Sequence, residues 1–195
     1  MRKSYLILFI AITLAASCQK AISDFDPATT TTQPPSNGSG SFEATINGEK
    51  KSFTVKAATL VRNLAANEKR MDITGISTDN KTTLILTLGE EISQGNTVTV
   101  KKYVLNAFPD DDPATPGIDE SLYTQGFTTY GIAIGSNWLY DVFEENGSCT
   151  VSNCDAAATR ISGEFETTLT DLIDATHIVR ITAGKFTNIK YTVQN

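Results

Sequence analysis

The sequence has one histidine, His177, and no run of clustered lysines and arginines. A lone imidazole leaves no histidine pair for zinc, and His177 itself, in ATHIVRIT just ahead of an apolar run, reads as a strand-edge residue. No serine sits in a nucleophile elbow and no glycine-rich loop opens a helix. Hydrolytic and redox chemistry therefore lack a constellation of groups to perform them, and the chain is expected not to be an enzyme. Without basic clusters to displace counterions from phosphates, nucleic acid is not expected as a partner either.

Long apolar runs are also scarce. The chief one, residues 5–14 (YLILFIAITL), follows Arg2 and Lys3 and precedes Ala15, Ala16, Ser17 and Cys18. A positive start, a short apolar run and small residues form an export signal. Ten residues at about 1.5 Å of rise each reach roughly half of a ~30 Å hydrocarbon layer, so the run does not serve as a permanent span. The cysteine after small residues resembles the lipobox of bacterial lipoproteins. That resemblance implies a diacylglycerol on the Cys18 thiol and a third acyl chain on its amine after cleavage. The alternative is an ordinary secretory signal cut at the same place, leaving Cys18 as a free thiol.

Cysteine is sparse, at three residues. Cys149 and Cys154 lie close in sequence, and the expectation for an exported chain is a disulfide between them that pins a loop or hairpin end. Cys18 is then the odd thiol, which acylation accounts for. Without residues 1–17, which hold Arg2 and Lys3 and no acidic residue, 14 basic side chains face 22 acidic ones, a net charge of −8. An acidic surface gives no attraction to anionic lipid, so the membrane is expected as a partner only through the acyl anchor. The expected location is the outer membrane, on its periplasmic or cell-surface face.

Residues 19–40 (QKAISDFDPATTTTQPPSNGSG) hold almost nothing apolar and read as a disordered tether. Three parts result: a signal peptide at 1–17, an acylated cysteine and tether at 18–40, and one domain at 41–195. Within that domain the apolar period is two. Phe42, Ala44 and Ile46 precede an Asn47-Gly48 turn, and Phe53, Val55 and Ala57 return. Residues 71–77 and 82–89 pair around Asp79, Asn80 and Lys81, with a bulge at Gly75. Residues 96–105 form another β-branched run, and Tyr130, Ile132 and Ile134 face Trp138, Tyr140 and Val142 across Gly135-Ser136-Asn137. Ile161, Gly163, Phe165, Thr167 and Leu169 alternate with Ser162, Glu164, Glu166 and Thr168. The expected fold is all-β, an antiparallel β-sandwich of about nine or ten strands, with a lipocalin-like barrel as the alternative. Residues 60–70 and 170–175 can hold a helical turn or a loop.

FxAxING at 42–48, ITGIS at 73–77, ISGEFE at 161–166 and ITAGKF at 181–186 resemble a family of uncharacterised Bacteroidetes lipoproteins grouped under a domain of unknown function. Gly163, Phe165, Gly184 and Phe186 stand where that family's ending has them. The motifs are structural in kind and carry no catalytic residue over to this chain.

Two further groups are candidates for binding. Asp110, Asp111, Asp112, Asp119 and Glu120 crowd one long loop, and calcium accepts flexible loops of oxygen ligands, but the spacing fits no EF-hand and a solvated acidic loop is favoured; no other cofactor is expected. Trp138 and Tyr140, with Phe143, Tyr130 and Tyr123, could form a platform for sugar rings, although their alternation favours core packing. The function expected is a non-catalytic binding or structural module at the cell envelope, whose partner is a glycan or an envelope protein. Glycan capture and carriage of a small apolar ligand are the alternatives.

Overall fold

Alternating apolar residues put every second side chain on one face, and in β1 (Ser41–Ile46) that face, Phe42, Ala44 and Ile46, is buried. The computed structural model describes residues 40–106, 125–140 and 143–195, all within one compact unit. Asn47 and Gly48 both take positive φ, 50° and 85°, as a two-residue hairpin turn requires, and β2 (Glu49–Asn63) returns with Phe53 opposite Phe42.

A bulge between Val55 and Ala57 then changes the phase of β2. Ala58 and Leu60, rather than the expected Ala57, continue the buried row. Residues 60–70 form no helical turn. They are the end of β2, a turn, and the start of β3 (Glu68–Ser77).

After β4 (Thr82–Glu90) come β5 (Lys102–Leu105), β6 (Gly126–Ile134), β7 (Asn137–Tyr140), β8 (Phe143–Asp155), β9 (Arg160–Asp171), β10 (Ile178–Lys190) and β11 (Thr192–Gln194). There is no helix among the described residues. The strands join in the order β5-β8-β9-β10-β1-β2-β3-β4-β6-β7, all antiparallel, while β11 lies parallel to β2. Among the described residues eleven strands are present against the nine or ten expected, the short β7 and β11 among them.

The sheet folds over as a sandwich and does not close into the barrel held as the alternative. Its β5 end comes back to β6 through the Asn106 N–H donating to Gly126 O at 2.9 Å, and no β5–β6 ladder forms among the described residues. Side chains fill the interior. Phe42 lies 5.1 Å from Phe53 and 5.9 Å from Phe165, and Phe165 lies 6.5 Å from Phe186, ring centre to ring centre.

The glycines of ISGEFE and ITAGKF have a packing purpose. Across β9 and β10, Gly163 pairs with Phe186 and Gly184 with Phe165, so each ring lies over the glycine of the other strand. A Cβ at Gly163 would stand 2.4 Å from Phe186 Cζ, and one at Gly184 2.5 Å from Phe165 Cε1. Any larger residue at either position displaces a core aromatic.

Candidate functional site

β8 runs straight through both expected disulfide partners. Cys149 faces Phe165 and Cys154 faces Ile161 on β9. Five residues of strand span roughly 16 Å, whereas a disulfide needs Cα atoms about 4.4–6.8 Å apart. The expected Cys149–Cys154 bridge is therefore corrected: both cysteines are free thiols. A bulge between Val151 and Asn153 turns Cys154 inward, where its thiol lies 3.8 Å from the Tyr191 hydroxyl. Burial pushes the Cys149 thiol up to about 12 and raises Cys154 as well. Both are thus poor nucleophiles. In urea without reductant, peptide mapping is expected to find both alkylated, and in the native protein Cys149 protected. Labelling that appears only after reduction would restore the bridge.

The expected strand at 96–105 is confined to β5. Residues 91–101 are held by side chains instead of a ladder: Arg62 Nε donates to Ser93 O at 2.9 Å, Asn67 Nδ2 to Glu91 O at 3.0 Å, Lys69 Nζ to Gln94 O at 3.1 Å and the Tyr191 hydroxyl to Asn96 O at 2.6 Å. Beneath this segment Lys69 meets Glu90 at 3.1 Å, their side chains 6% and 2% exposed. Glu90 Oε1 also accepts from the Tyr103 hydroxyl and, at 2.8 Å, from the Thr99 N–H. Burial pushes the Glu90 carboxyl up, but Tyr103, Thr99 and Lys69 together hold it below its ordinary value. Burial and the Glu90 carboxylate drive the Tyr103 hydroxyl up. The groups resemble an acid–base set in kind, yet they are sealed beneath residues 91–101, and the arrangement fastens that segment to the core.

Glu145 is a second buried carboxylate. It accepts from the Thr128 N–H at 2.8 Å and from the Thr167 hydroxyl at 2.8 Å, which ties β8 and β9 to β6 where the two ends of the sheet meet. Burial raises its carboxyl above the ordinary range. A raised folded value contributes stability that is fully present below the unfolded carboxyl pKa and lost as pH rises through the folded one. Wild type should therefore gain on Glu145→Gln as pH falls from 7 to 4 in urea denaturation, and a constant difference would contradict the raised value. Glu145→Ala strands the Thr128 N–H and should cost about 1–3 kcal/mol.

Trp138 and Tyr140 do not join the core. Leu84, Tyr130, Leu86 and Thr128 point inward across β4 and β6, so Gly131 and Ala133 point outward, and these pair with Tyr140 and Trp138. Tyr140 lies over Gly131, where a Cβ would meet its ring at 2.7 Å. Both aromatics are half-buried on this outer face. On the other face Ile132, Ile134 and Leu139 are 39%, 56% and 43% exposed. No residue from 126 to 140 is charged. The favoured core packing of the pair is corrected by this parity.

His177 is exposed at the end of the 172–177 loop, its Nδ1 3.2 Å from Asp171 Oδ2. Cys18, Asp110, Asp111, Asp112, Asp119, Glu120 and Tyr123, with the Phe143 side chain, lie outside the described residues. Among the described residues no three His, Cys, Asp or Glu side chains form a metal-binding group. Sequence reasoning missed Lys69, Glu90 and Glu145. Lys69 and Glu145 each occupy the inward phase of an alternating strand, and a charged residue at an apolar phase is a readable signal of a buried group held by an ion pair or hydrogen bonds. No protein-family model, curated protein or solved structure matches the chain.

Proposed function

We propose that the chain is an exported lipoprotein, held by acyl chains on Cys18 and acting as a non-catalytic binding module at the cell envelope. The observation that carries the binding part is the outward orientation of Trp138 and Tyr140 on an uncharged hairpin, away from a core that four phenylalanines already fill. Capture of a surface glycan is the second reading, favoured by the same pair, because aromatic faces stack on the apolar faces of sugar rings.

The anchor and the contact are tested separately. Cys18→Ala should move the protein from the membrane pellet to the supernatant, since an acidic domain adds no lipid affinity of its own. Unchanged sedimentation, with no labelled fatty acid in wild type, would remove the anchor. Trp138→Ala and Tyr140→Ala should lower retention on immobilised envelope polysaccharide while leaving the melting temperature within a few degrees. Retention unaffected by both would remove the glycan reading.

A further inference from the structure

The outer face of β5, β8, β9 and β10, at the opposite end of the strand order from Trp138 and Tyr140, carries a groove of about 440 Å³. Its surface is laid out by register. Val104, Ser148 and Glu166 form one row across β5, β8 and β9, and Asn146, Thr168 and Arg180 form the next across β8, β9 and β10. Lys102 stands at the far corner and Thr182 beside Glu166 closes the lining.

Three properties of these side chains bear on what the groove accepts. Lys102, Arg180 and Glu166 are exposed and make no ion pair among the described residues, and the Asn146, Ser148, Thr168 and Thr182 side chains make no hydrogen bond there. Among the described residues the hydrogen-bonding capacity of these groove side chains is thus uncommitted. The Arg180 backbone is fixed by the β1–β2 turn beside it: its N–H donates to Asn47 Oδ1 at 2.8 Å, and its carbonyl accepts from the Asn47 N–H at 2.8 Å. Two unpaired cations flank a strip of hydroxyl and amide groups on a chain whose overall charge is negative.

We propose that this groove binds a stretch of acidic polysaccharide, a run of uronic-acid units. Sugar carboxylates are held by Arg180 and Lys102, and ring hydroxyls by Asn146, Ser148, Thr168 and the Glu166 carboxylate. Arg180 offers a planar fork of donors matched to a carboxylate, and Lys102 a point charge. Glu166 accepts only, which suits the many donating hydroxyls of a sugar, whereas an acidic peptide offers it backbone N–H groups alone. Val104, 44% exposed, gives the apolar face of a sugar ring a surface to rest on. Four strands at about 4.8 Å spacing extend roughly 14 Å, so the groove takes several units rather than a single sugar. The ligand class is shared with the glycan reading above, but the residues are not, so each fails on its own variants.

The test is calorimetric titration of the full chain, in detergent where it is acylated, with oligogalacturonate, oligomannuronate and oligoglucuronate. The neutral galactose oligomer and poly-L-glutamate are the comparison ligands. Binding of at least one uronate oligomer is expected, weakening with salt. Arg180→Gln should weaken it about tenfold or more, as loss of a charge-assisted contact does, and Lys102→Gln several-fold. Lys190→Gln removes the same charge at an exposed position of β10 outside the groove, and should leave affinity within a factor of two. Melting curves confirm that these surface variants remain folded. No binding of any uronate oligomer, equal binding of the neutral oligomer or of poly-L-glutamate, or an Arg180→Gln variant indistinguishable from Lys190→Gln would each overturn the proposal.

Discussion

Phe165→Ala is expected to cost about 3–5 kcal/mol, roughly a fifth or more of the ~5–15 kcal/mol stability of a typical domain. Phe165 stands on the inward side of β9, between Phe42 at 5.9 Å and Phe186 at 6.5 Å, and its ring covers Gly184 on β10. Truncation leaves a ring-sized void, and the void cannot collapse easily because Gly184 has no side chain with which to fill it. Glu164→Ala and Glu166→Ala should each fall within about ±0.5 kcal/mol. Glu164 meets Lys185 only at 3.8 Å in an exposed pair, which contributes little. Urea denaturation of the three variants provides the measurement, with the slope watched for a change in the unfolded state. Costly glutamates beside a tolerant Phe165 would shift the register by one residue and reverse every face assignment on β9.

That register is legible in the sequence because burial on one side only imposes period two. Ile161, Gly163, Phe165, Thr167 and Leu169 are all inward, as their alternation predicts, and the Asn47-Gly48 turn forms where its dipeptide places it. Bulges are where the reading slips. A single extra residue between Val55 and Ala57 puts Ala58 inward, and another between Val151 and Asn153 brings Cys154 to the same face as Cys149. Nothing in the local composition of β8 announces that one strand carries both cysteines, and their short spacing reads equally well as the end of a hairpin. The orientation of Trp138 and Tyr140 is hidden from the sequence for a different reason. Their alternation with Leu139 fixes that they share a face, but which face is inward follows from the pairing of β6 with β4, a contact between distant segments. The groove is less visible still, since Lys102, Ser148, Glu166 and Arg180 come from four strands and share no local motif.

Lys69→Met should cost about 3–5 kcal/mol near neutral pH, because it leaves the Glu90 carboxylate buried without its cation. In wild type Glu90 sits below its ordinary value, so its contribution is present above the unfolded carboxyl pKa and is lost as pH falls through the folded one. Removing the ammonium leaves burial opposed only by Tyr103 and Thr99, and the carboxyl should then titrate higher. The deficit of the variant is therefore expected to be largest at pH 7 and to shrink towards pH 4, as the orphaned carboxylate takes up a proton. Residues 91–101 should loosen together, since the same lysine donates to Gln94 O, and faster amide exchange across that segment is the local signature. Lys69→Met combined with Glu90→Leu should be more stable than Lys69→Met alone, because an apolar pair of similar volume is no worse than half of a broken ion pair. The Tyr103 hydroxyl keeps Thr99 O at 2.8 Å in that background, and the Thr99 N–H that loses Glu90 belongs to an exposed residue within reach of water. A Lys69→Met cost below about 1 kcal/mol, or a double variant no better than the single, would mean that Glu90 is solvated in the folded chain and that the pair does not hold residues 91–101 to the core.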